Sequence, residues 1–196
     1  MGGSGQISER RAFLRSFLAH PRHVGAVLPT SRRTVRDMLD LADLDGARLV
    51  MELGAGTGVH TRELLARLGP DARLVAFEID PDLAGGLAAG LEDPRLEVVA
   101  GSAEEIESHA GPGEVDVIVS ALPFTSLPAP VRGRVLDAAL RVLSPEGVML
   151  VLQYSPLMRG ELERAFGSVE RRFSPINLPP AFLFRCTGPR PAGEAP

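Results

Sequence analysis

Nearly continuous apolar runs alternate along the chain with longer segments of helical periodicity. Runs of this kind are typical of strands that are buried on both faces of a parallel sheet. Four of them fall at residues 49–53, 73–79, 96–100 and 115–119. Segments with helical spacing follow them at residues 59–68, 81–91, 103–108 and 131–143. This alternation predicts a mostly parallel sheet with helices on both faces.

The C-terminal part of the chain continues this alternation and then changes it. A fifth strand is predicted at residues 147–154 and a helix at 157–166, followed by an antiparallel pair at 169–173 and 182–186. The expected architecture is an α/β fold whose sheet has seven strands, mostly parallel, with a C-terminal antiparallel pair. Ligands of such sheets bind beyond the carboxyl ends of the parallel strands, so polar residues at those ends are the functional candidates.

The first predicted strand runs into a glycine-rich turn that is suited to a cofactor. Glu52 ends the apolar run, and Gly54, Gly56 and Gly58 follow at alternate positions. Glycine lets the backbone approach a ligand closely. The dinucleotide pattern G-x-G-x-x-G fails because position 59 is valine, and a phosphate-binding loop fails because the chain has no lysine.

Polar residues also follow the other predicted strands. Glu78 ends the second strand, where a carboxylate can accept hydrogen bonds from both hydroxyls of a ribose. Ser102 follows the third strand, Ser120 the fourth, and Tyr154, the single tyrosine, ends the fifth. The sequence therefore predicts one site that is assembled from several strand ends.

An acid before G-x-G-x-G resembles the first motif of the class I S-adenosylmethionine (AdoMet) methyltransferases. The resemblance implies a Rossmann-like methyltransferase fold with AdoMet as cofactor, S-adenosylhomocysteine as product and no metal. Many members carry an acid at the position of Ser102, so this chain departs from the pattern there. The cofactor-binding residues that the resemblance implies are Glu52, Gly54, Gly56, Gly58, Glu78, Ile79, Ser102, Ala103 and Ser120.

The N-terminal segment predicts an interfacial helix over residues 8–19. Phe13 and Phe17 lie four residues apart on one face, and arginines lie largely off that face. The alternative is a helix that packs on its own domain. Residues 1–36 hold seven arginines and one acid, although the whole chain has a net charge of −4. This asymmetry favours an anionic partner at one end of the molecule.

Two further segments narrow the resemblance. Residues 24–31 (VGAVLPTS) and 120–124 (SALPF), together with the glycine-rich turn, resemble bacterial phospholipid N-methyltransferases. That family methylates the amine of phosphatidylethanolamine toward phosphatidylcholine. The resemblance implies a peripheral cytoplasmic enzyme on the inner face of the membrane. Tyr154 and Phe124 are expected to line the acceptor site. The residues expected to contact the membrane or the lipid phosphate are Phe13, Phe17, Arg22, Arg32 and Arg33.

Other functions remain open at this stage. Ribosomal RNA adenine dimethylases carry N-x-P-[YF] after the fourth strand, but the asparagine falls on Ala121 here, and alanine cannot accept a hydrogen bond. A small-molecule methyltransferase, with the N-terminal helix as a lid, and a non-enzymatic AdoMet-binding module are the further alternatives. We expect a monomer with no stable nucleic-acid partner, and a packing role for the lone Cys186.

The chain divides into four expected parts. Residues 1–7 form a flexible leader, and 8–45 hold the amphipathic helix, a lid loop and a second helix. Residues 46–186 form the AdoMet-binding domain, and the Pro- and Gly-rich residues 187–196 form a disordered tail. No apolar run is long enough to span a bilayer.

Overall fold

The computed structural model describes residues 30–190. Within them, seven strands form one sheet in the order β3-β2-β1-β4-β5-β7-β6. Strands β1 to β5 are parallel, and β7 runs antiparallel to both β5 and β6. The strands are β1 (Leu49–Leu53), β2 (Arg73–Glu78), β3 (Leu96–Ala100), β4 (Val115–Ser120), β5 (Leu143–Gln153), β6 (Phe166–Ser174) and β7 (Ala181–Pro189). The predicted fold is confirmed.

Helices cover both faces of the sheet. They are α1 (Arg32–Leu39), α2 (Val59–Leu65), α3 (Pro81–Gly90), α4 (Ala129–Val142) and α5 (Arg159–Ala165). Short 3-10 helices lie at Ala103–Ser108, Phe124–Ser126 and Pro156–Met158. Side-chain caps fix two helix starts, because Ser31 accepts a hydrogen bond from Thr34 N, and Asp80 accepts from Asp82 N and Leu83 N.

The two faces of the sheet bury separate apolar cores. On one face, side chains of α4 and α5, such as Val135 and Leu162, pack against Ile118 and Phe184. On the other face, side chains of α1 and α2 pack against strand residues such as Leu150. Because both faces are covered, the central strands need apolar residues at consecutive positions, which explains the nearly continuous runs in the sequence.

Several boundaries differ from the predicted ones. Strand β5 begins at Leu143 rather than at residue 147. Helix α1 ends at Leu39, with Asp40 as its C-cap. Leu41 and Leu44 stay buried in the core without being helical, so they extended the apolar pattern beyond the helix. Strand β7 continues to Pro189, so residues 187–189 pair with neighbouring strands instead of belonging to a disordered tail.

The predicted helix at residues 8–19 and the leader at 1–7 lie outside the described residues, as does the segment 191–196. No helix within residues 30–190 combines the length and apolar character that crossing a membrane requires.

Candidate active site

The carboxyl ends of β1, β2 and β4 meet at one end of the sheet and enclose a cleft. The parallel register pairs Leu53 with both Phe77 and Ser120, so the loops after these strands start at the same level. The space between the atoms of the cleft is about 420 Å³, and part of it is open to solvent. Its lining residues are Gly54, Phe77, Glu78, Ile79, Gly101, Ser102, Ala103, Leu122, Leu127, Val131 and Val135.

The glycine-rich turn forms the floor of this region. Gly54 and Gly56 have positive φ values of 84° and 54°, which side chains rarely tolerate. A Cβ atom on Gly54 would lie 3.0 Å from Leu122 Cδ2, whereas one on Gly56 would meet no atom within 4 Å. The turn therefore packs closely against the loop after β4 at Gly54 and leaves open space above Gly56.

Glu78 fixes the shape of the turn as well as lining the cleft. Its Oε2 accepts a hydrogen bond from Gly56 N at 2.8 Å, and its Oε1 accepts one from Asp80 N at 2.9 Å. Each carboxylate oxygen retains a second lone pair, so the same group can also receive ligand hydroxyls. Glu78 thus couples the geometry of the turn to whatever binds in the cleft.

Glu52 is a fully buried carboxyl group directly beneath the turn. Its Oε2 accepts a hydrogen bond from Thr61 Oγ1 at 2.7 Å, and its Oε1 has no partner among residues 30–190. Burial raises the pKa of Glu52 from 4.5 to about 7, and the nearby Glu78 adds to the rise. A cationic group that arrived at Oε1 would oppose this rise and stabilise the ionised form.

His60 is a second buried ionisable group in this region, and the sequence analysis did not single it out. It lies in the first turn of α2. Burial lowers the pKa of His60 from 6.5 to about 4, so the imidazole is neutral near pH 7. Its Nε2 has no hydrogen-bond partner among the described residues.

Ser102 lines the cleft, but its hydroxyl is already engaged. It caps the 3-10 helix by accepting from Glu104 N at 3.2 Å and donates to Glu104 Oε2 at 3.3 Å. Glu104 in turn pairs with Arg134. Because Ser102 replaces the acid that many family members carry at this position, this wall of the cleft presents a small polar group instead. Ile79 and Ala103 lie in the same wall and contribute apolar surface.

Ser120 is fully buried at the end of β4, and its Oγ accepts a weak hydrogen bond from Leu122 N at 3.4 Å. The loop that follows is held by Gln153, which the sequence analysis missed. Gln153 Nε2 donates to Leu122 O at 2.7 Å from the end of the neighbouring strand. A polar residue at the end of an otherwise apolar strand was the available signal.

The expectation for Phe124 is corrected. Its ring is fully buried in the hydrophobic core, with no exposed surface. A ring without an open face cannot stack on a substrate in this conformation, so Phe124 has a packing role. The residue lies in the short 3-10 helix after β4 and packs in the core there.

Tyr154 lies at the end of β5 beside the start of the described chain. Its hydroxyl shares a hydrogen bond of 3.3 Å with Thr30 Oγ1. The neighbouring Ser31 N donates to Asn177 Oδ1 at 2.9 Å, and Thr34 Oγ1 shares a 3.0 Å bond with Ser174 Oγ. These contacts join the beginning of α1 to the β6–β7 turn and bring both to the end of β5.

Two of the five residues predicted to contact the membrane or the lipid phosphate lie within the described residues. Arg32 and Arg33 are exposed in the first turn of α1, next to the Thr30–Tyr154 contact. Phe13, Phe17 and Arg22 lie outside the described residues.

Three lining residues that sequence reasoning missed share a spacing of four. Leu127, Val131 and Val135 face the cleft from the segment that leads into and through the first half of α4. An i, i+4, i+8 apolar stripe is the signal that identifies such a wall.

The residues of the cleft fit AdoMet. The turn offers a backbone floor with open space above Gly56, and Glu78 keeps lone pairs for ribose hydroxyls. Apolar walls on both sides suit a flat aromatic base, and the unpartnered Glu52 Oε1 suits a cationic group. Within residues 30–190, no cluster of three or more His, Cys, Asp or Glu side chains is arranged to hold a metal ion.

Comparison with known proteins agrees with this geometry. Residues 50–147 match the model of the family described as "Methyltransferase domain". The chain is 32% identical over 185 residues to an ornithine lipid N-methyltransferase from Singulisphaera acidiphila, covering 90% of this chain and 94% of that protein. It is also 32% identical over 124 residues to a ribosomal RNA small subunit methyltransferase A from Rhodococcus opacus, which covers 60% of this chain and 41% of that protein.

Among solved structures, the N-methyltransferase NodS from Bradyrhizobium japonicum WM9, in complex with S-adenosyl-L-homocysteine, superposes with a TM-score of 0.69. The identity is 17%, and the match covers 81% of this chain and 87% of that one. At this identity the likeness concerns the fold. The family match, the near full-length relative and the fit of the cleft lead to one conclusion. The chain belongs to the class I AdoMet-dependent methyltransferases and is an N-methyltransferase of that family.

Proposed function

We propose that this enzyme methylates the amine of a membrane lipid headgroup at the membrane surface. The observation that carries the proposal is the near full-length similarity to an ornithine lipid N-methyltransferase. An alignment over 90% of the chain extends well beyond residues 50–147. The similarity therefore includes parts of the chain outside the matched methyltransferase domain.

Two lipid amines are the candidates. Phosphatidylethanolamine follows from the sequence resemblance of residues 24–31 and 120–124 to phospholipid N-methyltransferases. Ornithine lipid is the substrate that the name of the Singulisphaera relative gives for that protein. Both carry a primary amine on a headgroup that is anchored by acyl chains. The proposed substrate is a lipid whose headgroup carries an amine, and a labelling assay distinguishes the two candidates.

The acceptor side supports an amine substrate. The half-buried hydroxyls of Tyr154 and Thr30 lie together at the end of β5, next to the loop after β4 that Gln153 holds. Either hydroxyl can accept a hydrogen bond from an amine and hold its lone pair toward the cleft. Arg32 and Arg33 are exposed beside them, which suits the negative charge of a lipid headgroup.

AdoMet, when bound, supplies a methyl group already activated by its sulfonium. The residues of this chain must therefore orient the acceptor and exclude water. The headgroup ammonium must first lose a proton to water or to a nearby acceptor, because only the neutral amine has a lone pair for attack. Leu122 and the apolar start of α4 form the dry wall in which the two reactants would meet.

Methyl-labelled AdoMet tests the proposal. Purified enzyme is incubated with vesicles of anionic lipid that contain either phosphatidylethanolamine or ornithine lipid, and the lipids are separated by chromatography. Parallel reactions contain ribosomal RNA or small soluble amines. Label in one of the two aminolipids is the expected result, and the labelled species identifies the preferred headgroup.

A matched control uses Glu146→Ala, an exposed acid in the first part of β5, far from the cleft. Its labelling should equal that of the unsubstituted enzyme. Label in RNA or in a soluble amine, with none in lipid, would contradict the proposal while leaving the methyltransferase assignment intact.

A further inference from the structure

Exposed apolar side chains collect at the same end of the molecule as the site. The turn between β6 and β7 lies at the carboxyl end of the sheet, because Ser174 pairs with Ala181 and the next residue of β7 pairs with Gln153. Four residues at this end expose apolar side chains, and we refer to them as the tip surface. They are Leu157 (77% exposed), Phe173 (56%), Ile176 (52%) and Leu178 (69%).

Arginines accompany the tip surface. Arg171 and Arg172 are exposed in the last part of β6, and Arg32 and Arg33 are exposed at the start of α1. None of the four forms an ion pair within residues 30–190, although Arg171 lies over the Phe182 ring at 5.6 Å. Other arginines, such as Arg36, Arg132 and Arg141, pair with acids, whereas these four keep positive charge beside the exposed apolar groups.

The tip surface is also where the N-terminal part of the chain joins the described structure. Asn177, in the turn itself, accepts a hydrogen bond from Ser31 N and donates to Pro179 O at 2.8 Å. Asn177 is buried, so this link is protected from water. The described part of the chain therefore begins beside the β6–β7 turn.

We propose that the tip surface docks on an anionic lipid bilayer, with Ile176 and Leu178 entering the headgroup boundary. This inference rests on the proposed lipid function and identifies the side of the enzyme that meets the membrane. Apolar side chains flanked by arginines match a surface that is apolar beneath and negatively charged above. Docking at this end turns the end of β5 toward the lipids, so a headgroup reaches Tyr154 without leaving the bilayer.

The composition of the chain permits a direct probe of the turn. There is no tryptophan in the sequence, so Leu178→Trp introduces a unique indole. Leu83→Trp is the matched control, because Leu83 is also exposed (43%) but lies on α3, which packs on β2 and β3 at the other side of the sheet. Each variant is titrated with vesicles of phosphatidylglycerol and phosphatidylcholine while the emission maximum is recorded.

Docking predicts a blue shift of the Leu178→Trp emission on anionic vesicles, quenching by brominated acyl chains, and neither effect for Leu83→Trp. An emission that stays unchanged while the protein sediments with the vesicles would overturn the proposal, and so would an absence of sedimentation. An emission that is already blue-shifted without vesicles would also overturn it, because residues 1–29 would then cover the turn.

Charge variants measure the contribution of the turn to binding. The double variant Ile176→Asp/Leu178→Asp should weaken vesicle binding by about tenfold or more, since two leucine-sized contacts are lost. Leu83→Asp should bind as the unsubstituted protein does. Arg172→Glu should weaken binding more at low salt than at high salt, whereas Arg48→Glu, exposed just before β1 at the opposite end of the sheet, should not.

Vesicle binding and methyl transfer are measured separately, so the two proposals can fail separately. The double variant should still methylate lipid that is dispersed in detergent micelles, where no bilayer has to be reached. If the tip surface binds vesicles but the unsubstituted enzyme labels no lipid, the docking proposal stands and the lipid substrate is rejected. Lipid labelling with equal vesicle binding by all variants would reject the docking alone.

Discussion

The cofactor side and the acceptor side of this enzyme are built in different ways. On the cofactor side, backbone groups dominate: Gly54 N and Ala55 N donate to Phe77 O at 2.9 and 3.0 Å, and Gly56 N donates to Glu78. On the acceptor side, side chains that are distant in sequence meet, as in the Thr30–Tyr154 and Ser31–Asn177 contacts. The first side is a local motif, and the second is an assembly of separate segments.

The two sides differ in how easily substrate specificity can change. A backbone cradle depends on positive φ values at glycine and on one carboxylate, so few sequences satisfy it. An acceptor wall made of separate side chains can be altered one residue at a time while the cradle is retained. Substitutions on the two sides should therefore produce separable defects, one in AdoMet binding and the other in lipid recognition.

The largest effect is expected for Glu78→Ala. The substitution removes the acceptor of two backbone N–H groups as well as the proposed partner of the ribose. Hydrogen bonds to charged groups contribute about 1.5–3 kcal/mol each, so AdoMet affinity should fall about 100-fold or more. Isothermal titration calorimetry measures this change, with Glu146→Ala as the control. Vesicle binding should be unaffected, and a parallel loss of both would break the separation of the two sides.

The second effect concerns Glu52 and the pH dependence of stability. Because burial raises the pKa of Glu52 from 4.5 to about 7, the native state holds a proton that the unfolded state releases. The Glu52 carboxyl by itself should lower the unfolding free energy of the ligand-free protein as pH rises through this window, by about 3 kcal/mol at 1.36 kcal/mol per pKa unit. Glu52→Gln should remove this contribution. Denaturant unfolding between pH 4.5 and 8 measures it.

His60 acts in the opposite direction over an overlapping range. Its pKa is lowered from 6.5 to about 4, so the unfolded state binds a proton first as the pH falls. Stability from this group is therefore lost as pH decreases from 6.5 to 4. The two groups offset each other in the unsubstituted protein, and Glu52→Gln should expose the loss on the acid side. Parallel pH profiles for the two proteins would contradict the buried-carboxyl account.

A smaller effect is expected for Asn177→Ala on the acceptor side. The side chain is buried and bonds both Ser31 N and Pro179 O. Its removal leaves these groups unpaired, which costs about 1–3 kcal/mol of unfolding free energy. AdoMet affinity should be unchanged, whereas kcat/KM for lipid should fall because the start of α1 loses its anchor. A variant with weakened AdoMet binding would show that the two sides are coupled.

The smallest effect is expected for Tyr154→Phe. A net hydrogen bond contributes about 1 kcal/mol, so kcat/KM for lipid should fall about fivefold with AdoMet affinity unchanged. Thr30→Val is the matched control, since it removes the 3.3 Å partner and leaves the Tyr154 hydroxyl in place. A larger loss for Tyr154→Phe than for Thr30→Val indicates that the tyrosine contacts the acceptor. Equal losses of kcat/KM would indicate that the hydrogen bond between Tyr154 and Thr30 has only a structural role.

The contrast between the cofactor side and the acceptor side also explains which parts of the structure the sequence could predict. The strands and the glycine-rich turn are local patterns, so the topology and the positions of Gly54 and Glu78 followed directly from them. Ile79, Ser102 and Ala103 also lie in the cleft. These three residues could be predicted because each closely follows a strand, and every parallel strand delivers its following residues to the same end of the sheet.

The rest depended on contacts between distant segments. No periodicity indicates that Asn177 meets Ser31 or that Gln153 holds the loop after β4. The position of Phe124 after β4 favours the acceptor site, but the ring packs in the core, and packing against distant segments is not encoded locally in the sequence. The four residues of the tip surface can be recognised as one group only after the fold has placed the segments that carry them at one end of the sheet.

The most direct test of the account is mass spectrometry of membrane lipids from bacterial cells that express the enzyme. The host should contain phosphatidylethanolamine and be supplied with ornithine lipid, and the comparison is between the unsubstituted enzyme and Glu78→Ala. The unsubstituted enzyme should produce aminolipids whose headgroups carry added methyl groups, and Glu78→Ala should not. Unmethylated aminolipids in both strains, although the unsubstituted enzyme is expressed and binds AdoMet, would contradict lipid methylation by this enzyme.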